Sequence, residues 1–242
     1  MFQGMTFEPG SLPEGTEALR QEVRAFLASE LDPDVLPNSD FNAGVSAEFS
    51  RKLAEHGWIG MTWPKKYGGG ERSFLERYVV TEELIAAGAP VGTHWIADRQ
   101  SGPLLLKFGS EEQRQLFLPK IVSGELFFSI GMSEPDSGSA LASIRTTATK
   151  TDGGWLLNGS KIWTSFAHTN HYMVTLVRTQ PPSENRHAGM SQIVVDLKDE
   201  NVEITGIKNL SGESDFNQVF FDDLFVPDNM LLGEEGNGWE QV

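Results

Sequence analysis

The chain has 242 residues, 39% of them apolar, which suits one or two globular domains with a real core rather than a disordered segment. A formal net charge of -15 without any Lys/Arg cluster argues against nucleic-acid binding, and it obliges any polyanionic ligand to be held by local donors. The lack of cysteine excludes disulfides, thiolate catalysis and Cys-based zinc sites; with no basic region followed by an apolar run at the start, and no apolar stretch near the ~20 residues of a spanning helix, a cytoplasmic protein without membrane insertion is expected.

The spacing predicts helices first. Leu19, Val23, Phe26 and Leu27 fall at i, i+4, i+7 and i+8, one buried helical face, with Thr16 placed to cap its start. Ser46 precedes Phe49 and Leu53 on a shorter helix that Gly57 can end, because glycine accepts the left-handed backbone at many helix C-termini. Trp63 to Gly70 reads as a connecting loop. Residues 73–87 form a further helix stopped by Gly88, and 92–107 another, kinked or started again at Pro103. Ser110-Glu111-Glu112-Gln113 supplies a capping box ahead of Leu116 and Phe117. Residues 1–125 are thus expected to be a helical domain.

After residue 140 the period becomes two, with hairpin punctuation expected at Asp152-Gly153-Gly154 and at Asn158-Gly159. Tyr172 to Arg178, Gln192 to Leu197, Val202 to Ile207 and Gln218 to Val226 continue the pattern, rich in the aromatic and β-branched residues that a half-buried pleat prefers. The expectation is an α+β protein, with an antiparallel barrel or sandwich of about seven strands over 126–230 and the start of another helical domain at 231–242.

Two segments stand out. Phe128 to Ser139 is a small-residue loop able to bring main-chain donors and hydroxyls against a flat polar ligand, and Lys161-Ile162-Trp163-Thr164-Ser165 is a strand with one large aromatic. Alternate residues of a strand share a face, which would set Trp163 and Ser165 side by side. On spacing alone, the plainer reading is a core tryptophan and an ordinary connection between domains.

These motifs resemble the acyl-CoA dehydrogenase family. Its loop of the form Thr/Ser-Glu-Pro-x-x-Gly-Ser-Asp is matched by Ser133 to Ala140, and its Lys-x-Trp-x-Thr/Ser strand by Lys161 to Ser165. Gly109 to Gln113 with Leu118-Pro119 and Gly124-Glu125, Trp63-Pro64 with Tyr67-Gly68-Gly69, and Phe225-Val226-Pro227 with Gly236 to Trp239 extend the likeness over nearly the whole chain in the family's order. The resemblance implies an oxidoreductase: FAD-dependent α,β-dehydrogenation of an acyl-CoA thioester, with electron-transfer flavoprotein as acceptor and a homo- or hetero-oligomeric assembly. It assigns Ile130, Met132, Ser133, Trp163, Thr164 and Ser165 to FAD, with the indole over the isoalloxazine and the Ser165 hydroxyl toward N5, and it assigns Ser139 to the CoA portion of the thioester. The stretches around His94-Trp95 and Ser129 to Ser139 look similar to actinobacterial members that act on steroid side-chain thioesters.

Two departures from the family pattern follow. Ala140 stands where the family places an aspartate, a loss of roughly 1.5 to 3 kcal/mol of loop pre-organisation if the site is buried. The C-terminal four-helix domain, which in this family carries the catalytic glutamate, is expected to be absent, so no catalytic residue is assigned and the chain alone is expected not to turn over. Glu134 is read as an anchor of local structure rather than a substitute base. A non-catalytic partner subunit or scaffold is the alternative, as is an acyl-CoA oxidase or flavin monooxygenase on the same fold.

Other chemistry finds little support. There is no His-Glu-x-x-His for a metal, no Rossmann glycine motif and no Gly-x-Ser-x-Gly elbow. His168 and His171 read as solvated loop residues, and Asp98 and Arg99 as surface or capping charges. In the resembled fold the helix carrying Asp98 and Arg99 approaches the far end of the acyl pocket, where polar groups would suit a bulky or oxygenated acyl chain.

Overall fold

The computed structural model describes residues 12–32 and 44–242; the opening residues read for targeting lie outside them. The described helices are α1 (Thr16–Glu30), α2 (Ala47–Glu55), α3 (Phe74–Ala86), α4 (Gly92–Ile96), α5 (Gly102–Phe108) and α6 (Glu111–Val122). Their ends follow side-chain chemistry. Ser46 accepts the Phe49 amide at the start of α2, and reciprocal capping boxes pair Ser73 with Glu76 and Ser110 with Gln113. Gly88 leaves α3 at a φ of 62°, in the left-handed region.

The start of α1 differs from expectation. Gly15 is the cap, and Thr16 lies inside the first turn, where its hydroxyl donates to the Pro13 carbonyl at 2.7 Å instead of accepting a helix amide. The segment from 92 to 107 also differs, because α4 passes into a π-turn at Ala97–Ser101 before α5 begins. Pro103 sits in the first turn of α5, where a missing N–H is tolerated, so the helix starts again at this proline as expected, after the π-turn. Gly102 closes the π-turn by donating to the Ala97 carbonyl, and a Cβ on it would lie 2.1 Å from the Trp63 ring.

The strands are β1 (Phe128–Gly131), β2 (Thr147–Thr151), β3 (Gly154–Ser165), β4 (Tyr172–Arg178), β5 (Met190–Asp196), β6 (Val202–Ile207), β7 (Phe216–Pro227) and β8 (Leu231–Leu232). They form one 8-stranded sheet in the order β6-β7-β3-β2-β4-β5-β8, with β1 on β4. The α+β class stands. The sheet, however, is mixed and does not close into a barrel: β1 runs parallel to β4, and β2 touches β4 in parallel at Thr147 and Arg178, while the other pairs are antiparallel. Strands joined through a long crossover, as β1 and β4 are, can pair in parallel where a tight hairpin cannot.

The hairpin at Asp152-Gly153 forms between β2 and β3, but Asn158-Gly159 makes no turn. Asn158 exchanges hydrogen bonds with Asp223 across β7, and Gly159 is a bulge whose Cβ would lie 2.7 Å from the Thr146 hydroxyl, so the glycine answers a close approach. β4 and β5 are buried on both faces. Val174 and Val194 join the helical core with Phe117 and Phe128, while Met173, Ile193 and Val195 join Trp155, Leu157 and Val219 in a second core. This double burial makes them near-continuous apolar runs.

Candidate functional site

The end of β1 and the loop after it are stitched to the end of β3. Ser129 Oγ donates to the Ser165 carbonyl at 2.8 Å, the Ile162 amide donates to the Ser133 carbonyl at 2.9 Å, and Lys161 Nζ donates to the Met132 carbonyl at 3.1 Å. These bonds bring Ile130, Met132 and Ser133 to one seam with Trp163, Thr164 and Ser165. Asn170, unremarked in the sequence, holds the seam from behind through its Nδ2, bonded to the Phe128 carbonyl at 2.8 Å and to Ser129 Oγ at 3.0 Å.

A buried ion pair braces the same seam. Lys161 Nζ lies 2.8 Å from Glu134 Oε1, and Glu134 also accepts the amides of Thr146 at 2.9 Å and Arg145 at 2.6 Å. Burial pushes the Lys161 ammonium down to about 8 against the opposing pull of Glu134. Burial works to raise the Glu134 carboxyl, but the charge of Lys161 and the donors around it outweigh that and hold it below its ordinary value. With its oxygens committed in this way, Glu134 is an anchor.

Trp163 is no core aromatic, since it is 58% exposed. Its backbone is left-handed at a φ of 61°, inside the register shift of β3 against β7 between Lys161 and Thr164. The regular alternation expected across Trp163 and Ser165 is therefore interrupted by a bulge, a device that re-aims a side chain. The indole meets the Phe216 ring edge-on at 6.2 Å. Thr164 is fully buried with a hydroxyl that has no partner, and Ser165 is half-buried. An exposed indole, an orphaned hydroxyl beside it, and half-exposed Ile130, Met132 and Ser133 on the same seam fit a flat aromatic cofactor with a polar edge.

Ser139 and Ala140 lie exposed beyond the turn at Glu134 to Ser137. The Ala140 carbonyl receives the Ser143 amide at 2.8 Å and its hydroxyl at 2.7 Å, so the loop is already closed and an aspartate there would be solvated. The burial assumed for a larger loss at this position is not met.

Ile130 and Met132 also face a cleft of about 350 Å³, walled on the helical side by Gln100 and Leu104, on the sheet side by Val174 and Gln192, and by Gln241 and Val242. No carboxylate is among its lining residues. Gln192 went unnoticed in the sequence, although a glutamine inside a run of buried apolar residues was a signal available there.

The charges expected at the surface of the helical half are buried. Asp98 accepts the Gly60 amide at 2.8 Å and Arg99 Nε at 3.0 Å, and burial raises its carboxyl against the pull of Arg99. They tie the π-turn to the loop at Gly60 and do not line the cleft. His171 is likewise structural, its Nδ1 accepting the Phe127 amide at 3.2 Å, whereas His168 is exposed and pairs with Asn217 at 2.9 Å.

Residues 13–125 match the N-terminal domain of acyl-CoA dehydrogenases, and residues 129–224 match their middle domain. The chain belongs to the acyl-CoA dehydrogenase family. Acyl-CoA dehydrogenase FadE26 of Mycobacterium tuberculosis is 35% identical over 234 residues, covering 93% of this chain and 58% of that protein. Among solved structures, the Tcur3481-Tcur3483 steroid ACAD is 34% identical with a TM-score of 0.87, over 96% of this chain and 60% of that one. The ChsE4-ChsE5 complex from Mycobacterium tuberculosis is 33% identical with a TM-score of 0.85, over 97% of this chain and 60% of that one. This acyl-CoA dehydrogenase chain thus spans about three fifths of the length of these relatives. No helix among its described residues is long and apolar enough to cross a membrane.

Proposed function

We propose that the chain is the flavin-binding part of an acyl-CoA dehydrogenase, with FAD on the seam between β1 and β3 and an acyl-CoA thioester beside it. FAD supplies the two-electron acceptor for α,β-dehydrogenation. The Trp163 indole would cover the ring system, the Ser165 hydroxyl would donate to its edge with Thr164 beside it, and Ile130, Met132 and Ser133 would hold the pyrimidine end. Ser139 meets the CoA portion. The observation that carries this reading is the set of hydrogen bonds from Ser129, Ile162 and Lys161 that unites two separate signature segments into one surface. In this division residues 1–125 form the helical domain, 126–230 the sheet domain, and 231–242 the start of a further one.

Removing the α-proton of a thioester takes a positioned base, and the cleft beside Ile130 and Met132 has no carboxylate. The base comes from outside the described residues or from a partner chain. The second reading, a subunit of a heteromeric enzyme with no turnover of its own, draws on the same observation and on the likeness to the ChsE4-ChsE5 complex. Either way the protein works as a cytoplasmic oligomer that passes electrons to electron-transfer flavoprotein, and steroid side-chain thioesters are the substrate class suggested by the steroid ACAD neighbour.

Flavin loading tests the reading. The purified protein incubated with FAD is expected to retain a yellow chromophore near ~450 nm after desalting, and Trp163→Ala to lose it. A protein that stays colourless at saturating FAD, or a Trp163→Ala variant that loads equally well, would falsify the seam as a flavin site.

A further inference from the structure

We infer that Gln192 is a specificity residue for the acyl group, and that the cleft it lines takes a chain bearing a hydroxyl in preference to a plain hydrocarbon. The inference rests on reading that cleft as the acyl site. Gln192 is 0% exposed in the middle of β5, among Met190, Ile193, Val194 and Val195. Strand alternation puts it on the face shared with Val194, which packs into the helical core. Its Oε1 has no hydrogen-bond partner, and its Nε2 reaches only the Gly238 carbonyl at 3.5 Å. Its neighbour Ser191 shows what a satisfied polar group on this strand looks like: that hydroxyl lies 2.8 Å from Thr179 Oγ1 and accepts the Gly236 amide at 2.9 Å.

A buried acceptor without a partner is unfavourable, and a donor that arrives with a ligand would satisfy the amide kept here among valines. The opposite wall gives an independent pointer. It is built on the π-turn at Ala97–Ser101, a local departure from helix that recurs at functional sites, and that turn contributes Gln100 to the cleft. Gln241 adds a third amide, its Nε2 held by the Leu232 carbonyl at 3.0 Å and its Oε1 without a partner, and the remaining lining, from Leu104, Ile130, Met132, Val174 and Val242, is apolar and suits hydrocarbon. Apolar walls with a few placed polar groups are the usual composition of a site that selects a small molecule. A hydroxyl on the chain donates to Gln192 Oε1, whereas an alkyl chain leaves that oxygen buried and unpaired.

Calorimetric titration of the flavin-loaded protein with two acyl-CoAs of equal length, one hydroxylated away from the thioester, tests this, with free CoA as reference. The hydroxylated thioester is expected to bind about tenfold more tightly or better, with the ratio falling to near one in Gln192→Met and surviving in Gln192→Glu, which keeps an oxygen acceptor. Equal binding of the pair by the unmodified protein overturns the inference without any variant being needed. A ratio that persists in Gln192→Met overturns it too. If neither thioester binds more tightly than free CoA, the acyl reading of the cleft itself has failed, and the specificity role falls with it.

Discussion

Lys161 and Glu134 meet at 2.8 Å where water scarcely reaches, the lysine side chain being 0% and the glutamate side chain 7% exposed. The same ammonium donates to the Met132 carbonyl, so a single buried cation fastens a glutamate and a stretch of main chain that both belong to the cofactor loop. Taking two charges out of water is unfavourable, and removing one partner leaves the other stranded.

Lys161→Met is therefore expected to lower the unfolding free energy by about 3 to 5 kcal/mol, and the double variant with Glu134→Gln to recover at least ~1 kcal/mol of it. Urea unfolding of the single and double variants measures both quantities. A single variant within about 1 kcal/mol of the parent would show that the pair contributes nothing.

His94 gives the stability a pH dependence. Burial first, and the charge of Arg99 second, push its imidazole down to about 3, and the neutral ring bonds Ser50 Oγ at 2.8 Å. Between pH 6.5 and 3 the unfolded ring binds a proton that the folded ring refuses. The contribution is complete above about pH 6.5 and is lost progressively as the pH falls toward 3, about 2 to 3 kcal/mol by pH 4.5. Buried or paired carboxylates act in the same direction, so the test is a difference: the loss between pH 7 and 4.5 should be smaller in His94→Gln than in the parent, and an identical loss would exonerate His94.

The left-handed backbone at Trp163 separates fold from cofactor. A non-glycine residue held at a φ of 61° costs about 1 to 2 kcal/mol, which glycine would not incur. Trp163→Gly should leave the melting temperature of the flavin-free protein close to that of the parent while weakening FAD binding by about tenfold or more, for want of the covering ring. A variant that melts many degrees lower without FAD would mean that the indole is a packing residue after all.

Gly102 sets the shape of the helical wall. With the Trp63 ring 2.1 Å from where a Cβ would stand, Gly102→Ala must displace either the ring or the π-turn, at about 1 to 3 kcal/mol. Thermal unfolding reports the loss. A fully stable Gly102→Ala protein would show that Trp63 yields freely.

Much of this was legible in advance because it is local. The capping box at Ser110, the helix stop at Gly88 and the hairpin at Asp152-Gly153 each depend on residues a few positions apart. What stayed hidden depends on distant partners. Asn158-Gly159 has the composition of a turn, but Asp223 and Thr146 claim it as a bulge. Asp98 and Arg99 look like surface charges until Gly60 and Thr81 are found against them. The parallel course of β1 beside β4 leaves no local mark at all, and the glutamine at 192 gains its meaning from the burial of both faces of β5.

The π-turn makes the length of its segment matter more than its composition. Such a turn amounts to one residue beyond what a continuous α-helix needs, and each residue advances a helix by roughly 100°. Shortening 97–101 by one position would let α4 and α5 fuse into an unbroken rod in which Leu104 and Leu105 keep nearly their present facing, because the wider turn absorbs about the rotation of the residue it adds. What such a deletion removes is the turn itself, and with it the bond from the Gly102 amide to the Ala97 carbonyl and the place of Gln100 on the cleft wall.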